Sequence, residues 1–361
     1  MTRHQFRLIA ATFLSFVVNL ASAEILIRDA IIHTDNFANV VKDQDIRINN
    51  DRIVETGLNL EPIDANSIII PANGRYVTPT LFAGLTSIGL NEVNLENTTV
   101  DDMLTSSPGQ LLRPEFDITT AYNPNSTIIP ITRIEGYGFT LLKARSDYSF
   151  IMGQGQTVML DGGYNSFVGK NALFIEIGSH ASELSGNSRA SQWMILEQTL
   201  DEARSRPRNG EHRLLSNKGR LAMMDLSTEG KLIFSVNRAS DIMQCIKFAN
   251  KHGIDAMIHG GTEAWMIADK LAEAEIPVIL NSLSNLPNSF DEIGARLDNA
   301  ALLEAAGVTV IFSSGETQNA RKNRQLAGNA VANGLAHGAA LAALTINPAA
   351  KLGLPSQEIA A

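Results

Sequence analysis

The chain has 361 residues, 44% of them apolar, with 27 Gly, 12 Pro and a mean hydropathy of zero; such a composition is globular and excludes collagen-like, mucin-like and disordered classes. Twenty-nine Lys and Arg against 38 Asp and Glu leave a net charge of −9, which argues against a nucleic-acid partner, because binding a polyanion calls for a basic face that neutralises phosphates. The single cysteine, Cys245, excludes an intramolecular disulfide and any multi-cysteine metal site, and a chain of this length buries enough core to need neither.

Arg3 and Arg7 precede an apolar run from Leu8 to Leu20, and Ala21-Ser22-Ala23 then has the small-x-small form of a signal-peptidase site. A run this short cannot span a hydrocarbon core ~30 Å thick, so residues 1–23 read as a cleaved signal peptide rather than an anchor. No cysteine follows the run to carry a lipid. Export to the periplasm is the expectation, and cleavage after Ala23 leaves 338 residues carrying −11, since the removed 23 hold two arginines and no acid. No second long apolar run appears, so no membrane span is expected after processing.

Residues 24–78 read as a small β module. Glu24-Ile25-Leu26-Ile27-Arg28 opens it, and Ile46-Arg47-Ile48 alternates with the period of a half-buried strand. Asn49-Asn50-Asp51 is a hairpin turn into Arg52-Ile53-Val54, and Ser67–Ile70 and Arg75–Val77 follow as strands around Pro71 and Gly74. Residues 79–231 are less regular: Thr140-Leu141-Leu142 and Leu173-Phe174-Ile175 read as strands, Arg189 to Arg204 as a long helix, and Gly153-Gln154-Gly155 as a flexible loop. From Leu232 the pattern is a regular strand–helix alternation. Strands at Leu232–Val236, Ala256–Ile258, Pro277–Leu280 and Val308–Phe312 are separated by helical stretches at Ala239–His252, Thr262–Glu275 and Asp298–Ala306, and helices run through Thr317 to Leu352. Short, fully apolar strands of this kind belong to a parallel sheet buried on both faces. The fold class is therefore α/β, with a (β/α)8-type (TIM-like) barrel over 79–354 as the natural closure, a doubly wound open sheet as the alternative, and a tail at 355–361.

In a barrel the chemistry gathers at the carboxyl ends of the strands. Those ends carry Asn237 and Arg238, then His259, Asn281, and Ser313-Ser314-Gly315-Glu316. His259, at the lip of a buried strand, is suited to metal ligation or to acid–base work near neutral pH, and equally to capping a neighbouring helix. Glu263 and Glu316 each open a helical stretch, where a carboxylate can act on a substrate or simply favour the positive helix terminus. No Gly-x-Ser-x-Gly elbow, phosphate loop or dinucleotide glycine motif is present.

Four segments resemble the amidohydrolase superfamily, in its exported branch related to imidazolonepropionase: Tyr76-Val77-Thr78-Pro79, His259-Gly260-Gly261-Thr262-Glu263-Ala264-Trp265, Ile276-Pro277-Val278-Ile279-Leu280, and Ala343–Ala349 with Leu352-Gly353-Leu354. The resemblance implies hydrolysis of carbon–nitrogen bonds other than peptide bonds, in a small amide or cyclic amide, assisted by zinc. It also implies a metal site at positions that here depart from the pattern. Leu85 and Ser87 stand for the His-x-His pair of the first strand, Asn237 for the fifth-strand histidine and Gly315 for the eighth-strand aspartate, which leaves His259 as the only retained ligand. Ligand count therefore argues against a binuclear centre, since catalytic zinc takes about three protein ligands and an open position.

Two functions follow. One is a hydrolase with His259 and Glu316 as catalytic residues and Asn237, Arg238, Glu263, Asn281 and Ser314 binding the substrate. The other is a catalytically silent barrel that binds a small molecule in the cell envelope. No motif sets the oligomeric state, the substrate or the metal content.

Overall fold

The computed structural model describes residues 24–34, 37–105, 112–205, 213–284 and 286–354. The expected signal peptide and the C-terminal tail lie outside the described residues. Among those described, residues 24–31 with 42–76 form a smaller unit, and 32–41 with 77–354 a larger one.

The smaller unit is built on a five-stranded sheet: β1 (Ile25–Thr34), β2 (Asn39–Asn49), β3 (Arg52–Gly57), β4 (Ile68–Pro71) and β5 (Tyr76–Val77), in the order β3-β2-β1-β4 with β5 on β1. The β2–β3 hairpin turns at Asn50 and Asp51, both at positive φ (50° and 59°), the left-handed pair that matches strand twist in a two-residue turn and that Asn and Asp tolerate well. Asp45, almost fully buried, accepts from the backbone N–H groups of Asp29 (3.0 Å) and Leu60 (2.9 Å) and so fixes two loops of the unit.

The larger unit carries β6 (Leu81–Thr86), β7 (Met103–Leu104), β8 (Tyr137–Leu142), β9 (Arg145–Ser146), β10 (Ile151–Met159), β11 (Phe167–Glu176), β12 (Lys231–Val236), β13 (Ala256–Gly260), β14 (Val278–Leu280) and β15 (Val310–Phe312). Eight of them form one nearly closed sheet in the order β6-β8-β10-β11-β12-β13-β14-β15, while β7 and β9 pair separately. From β11 to β15 all neighbours are parallel, as the βα spacing predicts. The apolar runs divide with period two: Ile233, Met257, Ile279 and Ile311 fill the barrel interior with Phe82, Leu85, Phe139 and Phe174, whereas Phe234, Ile258, Val278 and Phe312 pack outward against Ile242, Cys245 and Leu271 of the helices.

Several features depart from the sequence expectation, among them Glu316, which opens no helix because the next one begins at Lys322. Gly153-Gln154-Gly155 is not a loop but part of β10, which runs antiparallel to both β8 and β11. The glycines serve bulges there: register slips at both, Gly153 has φ +118°, and a side chain on Gly155 would collide with the Leu142 carbonyl. The antiparallel strand hid the barrel pattern over 79–231. In addition, the stretch expected as one helix over Thr262–Glu275 is a 3-10 turn, Ala264–Ile267, followed by a short helix, Ala268–Glu273.

β15 and β6 close the barrel through side chains. Leu85 N–H donates to Ser313 Oγ (2.9 Å), Ser87 N–H to Thr317 Oγ1 (3.0 Å), and Asn323 Nδ2 to the Phe82 carbonyl (3.3 Å). Gly84 makes the approach feasible, with φ +96° and a position where a Cβ would lie 2.6 Å from Ser313 Oγ. Gly84→Ala therefore meets strain and overlap together and should cost about 2–4 kcal/mol. Urea unfolding reads this as a lowered midpoint at unchanged slope; a wild-type midpoint would show that the seam has room to spare.

Candidate functional site

The carboxyl ends of β6, β8 and β13 open onto a cup of about 300 Å³ lined by Ser87, Asn91, Lys143, Arg145, His259 and Glu316, among others. Lys143 follows β8 directly, so the strand's last apolar residues hold its backbone while its side chain reaches the cup. His259 sits in β13 in register with Ser235 of β12, and Ser235 Oγ lies 3.0 Å from its Nδ1. Lys143 Nζ approaches the same nitrogen at 3.5 Å. An ammonium only donates, so Nδ1 is the acceptor and the neutral ring carries its proton on Nε2. His259 thus acts as a donor toward any ligand that reaches Nε2.

Arg145 is fixed from behind. Its Nε and Nη2 engage both oxygens of Asp102 at 2.6 and 3.1 Å, and Ser87 Oγ donates to the same carboxylate at 2.6 Å. Asp102 is fully buried, so this bidentate pair positions the guanidinium and leaves Nη1 for a ligand. Asn91, also buried, gives Nδ2 to Asn94 while its Oδ1 has no hydrogen-bond partner.

The electrostatics follow from burial. Desolvation brings the Lys143 amine down to about 8, with the Glu176 carboxylate resisting and the Arg145 charge assisting. Burial, and then the Lys143 charge, hold the His259 imidazole well below its ordinary value, so it is neutral at pH 7. The hydrogen bond to Asp102 keeps Arg145 firmly charged. At the rim Glu316 is ionised, held down chiefly by Lys322, whose Nζ donates to it at 2.7 Å, and also by Asn319. In a chain of net charge −9 the floor of the cup is cationic, a field that gathers anions.

Leu85, Ser87 and Gly315, at the altered metal positions, line the cup, and of the candidate catalytic and substrate-binding residues His259 and Glu316 do. The others lie elsewhere around the strand ends, in structural bonds. Asn237 accepts from Thr262 Oγ1 (3.0 Å) and donates to Glu292 (2.8 Å). Arg238 is exposed and precedes the helix Ala239–His252. Glu263 is buried and accepts from the backbone N–H groups of Ala239 and Gly294, both at 2.9 Å. Asn281 closes a turn onto Leu283 N–H (3.0 Å), and Ser314 N–H donates to Asn323 (2.7 Å). Sequence reasoning missed Lys143 and Arg145. The strand Thr140–Leu142 was recognised, and the rule applied to the later strands, to look just past the carboxyl end, points to Lys143 there too.

No family model and no curated protein matches the chain. Solved structures do. An amidohydrolase from Thermotoga maritima MSB8 superposes with a TM-score of 0.76 over 91% of this chain and 89% of its own, at 20% identity. The fold is that of an amidohydrolase. A molinate hydrolase is similar more loosely, with a TM-score of 0.52 at 11% identity over 92% of this chain and 85% of that one.

The zinc chemistry implied by the sequence resemblance can be tested against the donors present. Catalytic zinc takes about three His, Cys, Asp or Glu ligands. The cup offers one imidazole, whose Nδ1 already faces Ser235 and an ammonium, and among the described residues no group of three such side chains is placed to hold an ion. Lys143 and Arg145 stand where further ligands would have to gather, and their charge repels a dication. The residues do not fit a catalytic zinc, and no chemical step is routed through one.

Proposed function

We propose that this protein is an exported, periplasmic barrel that takes a small anionic molecule into the Lys143–Arg145 cup, as a binding site without a catalytic metal. The observation that carries the reading is the cationic floor: Lys143, Arg145 and His259 line one cavity of about 300 Å³, with no carboxylate paired to Lys143 among the described residues. Charge-assisted donors of this kind recognise carboxylates and other oxyanions. Export is supported by the arginine start, apolar run and Ala-Ser-Ala site of residues 1–23.

A second reading, hydrolysis of a carbon–nitrogen bond other than a peptide bond in a small amide or cyclic amide, is favoured by two observations. The fold likeness to an amidohydrolase covers 91% of the chain, and the Glu316 carboxylate shares the cup with the donors, so a base and oxyanion-stabilising groups face one space.

Calorimetric titration with oxamate, a small carboxylate that also bears an amide, tests the first reading, and ammonia release from oxamate or ring opening of a cyclic amide tests the second. Saturable binding without turnover is expected, with less than one zinc per chain by elemental analysis. Turnover that falls by about 10²–10⁴-fold in His259→Ala would install the hydrolase instead. Failure to bind any small carboxylate, or stoichiometric zinc, would overturn the proposal.

A further inference from the structure

The cup has a property that anion binding alone does not use. Lys143 lines two cavities, the cup and a neighbouring one of about 230 Å³ whose lining also includes Asp147, Glu176 and Ser235. Its hydrogen-bond contact is a long one, 3.5 Å, to the neutral acceptor Nδ1 of His259. Among the described residues no carboxylate sits within ion-pair reach of it, whereas Lys231, Lys251, Lys270 and Lys322 are each matched with an acid at 2.6–2.9 Å, and Lys170 with one at 3.9 Å. A desolvated lysine beside a second cation is the arrangement that makes an amine nucleophilic.

From this amine and the adjoining Arg145 fork we infer that Lys143 forms an imine with the carbonyl carbon of a small 2-oxo acid, whose carboxylate is held by Arg145 Nη1. The inference rests on the anion-binding reading of the same cup and names its ligand class. The uncharged Nζ adds to the carbonyl carbon, forming the new carbon–nitrogen bond, and its proton passes to the carbonyl oxygen to give a carbinolamine. The carbon–oxygen bond then breaks and one water leaves, so amine plus carbonyl become imine plus water with no oxidant or reductant. His259 Nε2–H is a donor for the departing oxygen. The cup volume suits a ligand of a few heavy atoms, since one water occupies about 30 Å³ of liquid.

The test is reductive trapping of the purified full chain with pyruvate and cyanoborohydride, read by intact mass and peptide mapping. One saturable adduct per chain on Lys143 is expected, forming at least about tenfold faster than on any exposed lysine, as a desolvated amine beside a cation allows, and suppressed by oxamate. Lys143→Arg keeps the charge and removes the nucleophile; it should give no adduct at the cup. Arg145→Gln should raise the pyruvate concentration needed for half-maximal trapping by about tenfold or more, the loss expected for one charge-assisted contact. Adducts spread over surface lysines, or none while oxamate still binds, would overturn the imine and leave the anion site standing. Absence of both adduct and oxamate binding would overturn the two together.

Discussion

Lys143→Met should make the protein more stable at pH 7 while weakening the uptake of a small carboxylate by about 30-fold or more, the loss that follows when one partner of an enclosed charge contact is truncated. The stability gain follows from linkage. Folding brings the Lys143 amine from its ordinary 10.5 down to about 8, so between pH 8 and 10.5 the unfolded chain binds more protons than the folded one. Stability of the wild type contributed by this group therefore rises with pH through that window. Below pH 8 the folded protein carries the whole penalty of an enclosed ammonium, about 2–3 kcal/mol once partial solvent access is allowed for. Methionine keeps the stem's packing and removes the charge. The variant should unfold at a higher urea concentration at pH 7 and match the wild type near pH 10.5. A variant less stable than wild type at pH 7 would mean that the ammonium has favourable partners beyond those described here.

Arg189→Leu should be strongly destabilising, by about 3–5 kcal/mol, because it strands buried carboxylates. Arg189 opens the helix Arg189–Arg204 and reaches two acids at once: Nε donates to Asp241 at 2.9 Å, and Nη2 pairs with Asp291. Both acids are buried, and Asp291 also accepts from Ser179 N–H and Oγ at 2.7 and 2.8 Å. One guanidinium thus ties the starts of two helices to the loop after β14. Burial already pushes the Asp241 carboxyl above its ordinary value, with Arg189 opposing and Asp291 adding to the rise. Without Arg189 the larger opposing influence is gone and only Arg238 still opposes, so the Asp241 carboxyl of the folded variant rises further above its unfolded value. The raised folded value makes the variant's deficit largest at neutral and alkaline pH, and the deficit shrinks as pH falls toward 5. Urea midpoints from pH 5 to 8 check the sign. Adding Asp241→Asn to the variant should restore part of the loss at pH 8 and little at pH 5; a deficit independent of pH would place the damage in packing instead.

The strands β12 to β15 and the helix after β12 were legible in the sequence because each is a local pattern: an apolar run buried on both faces, then a stretch with one apolar stripe. The hairpin at Asn50-Asp51 was legible for the same reason, since its turn chemistry lies within two residues. Likewise His259 stood out as an imidazole at the lip of a buried strand. The antiparallel β10 was not legible, because its glycines carry the local signal of a loop, and only close approach to Leu142 and Phe116 explains them.

The cup itself was decided by tertiary structure. Nothing local joins Ser87, Asp102 and Arg145, which meet through a buried carboxylate across 58 residues of chain, and nothing local sets Lys143 beside His259, 116 positions away. Sequence by itself determined which segments must be buried, and with them the α/β class and the strand ends on which polar groups collect, while barrel closure over a doubly wound sheet was settled by the tertiary structure. Which of those groups share one cavity depends on strand order and register, where β6, β8 and β13 deliver their ends to the same space. The perturbed amine is likewise a property of that space: a lysine is an ordinary cation in the unfolded chain and becomes a poor one only when the barrel removes its water and places Arg145 beside it.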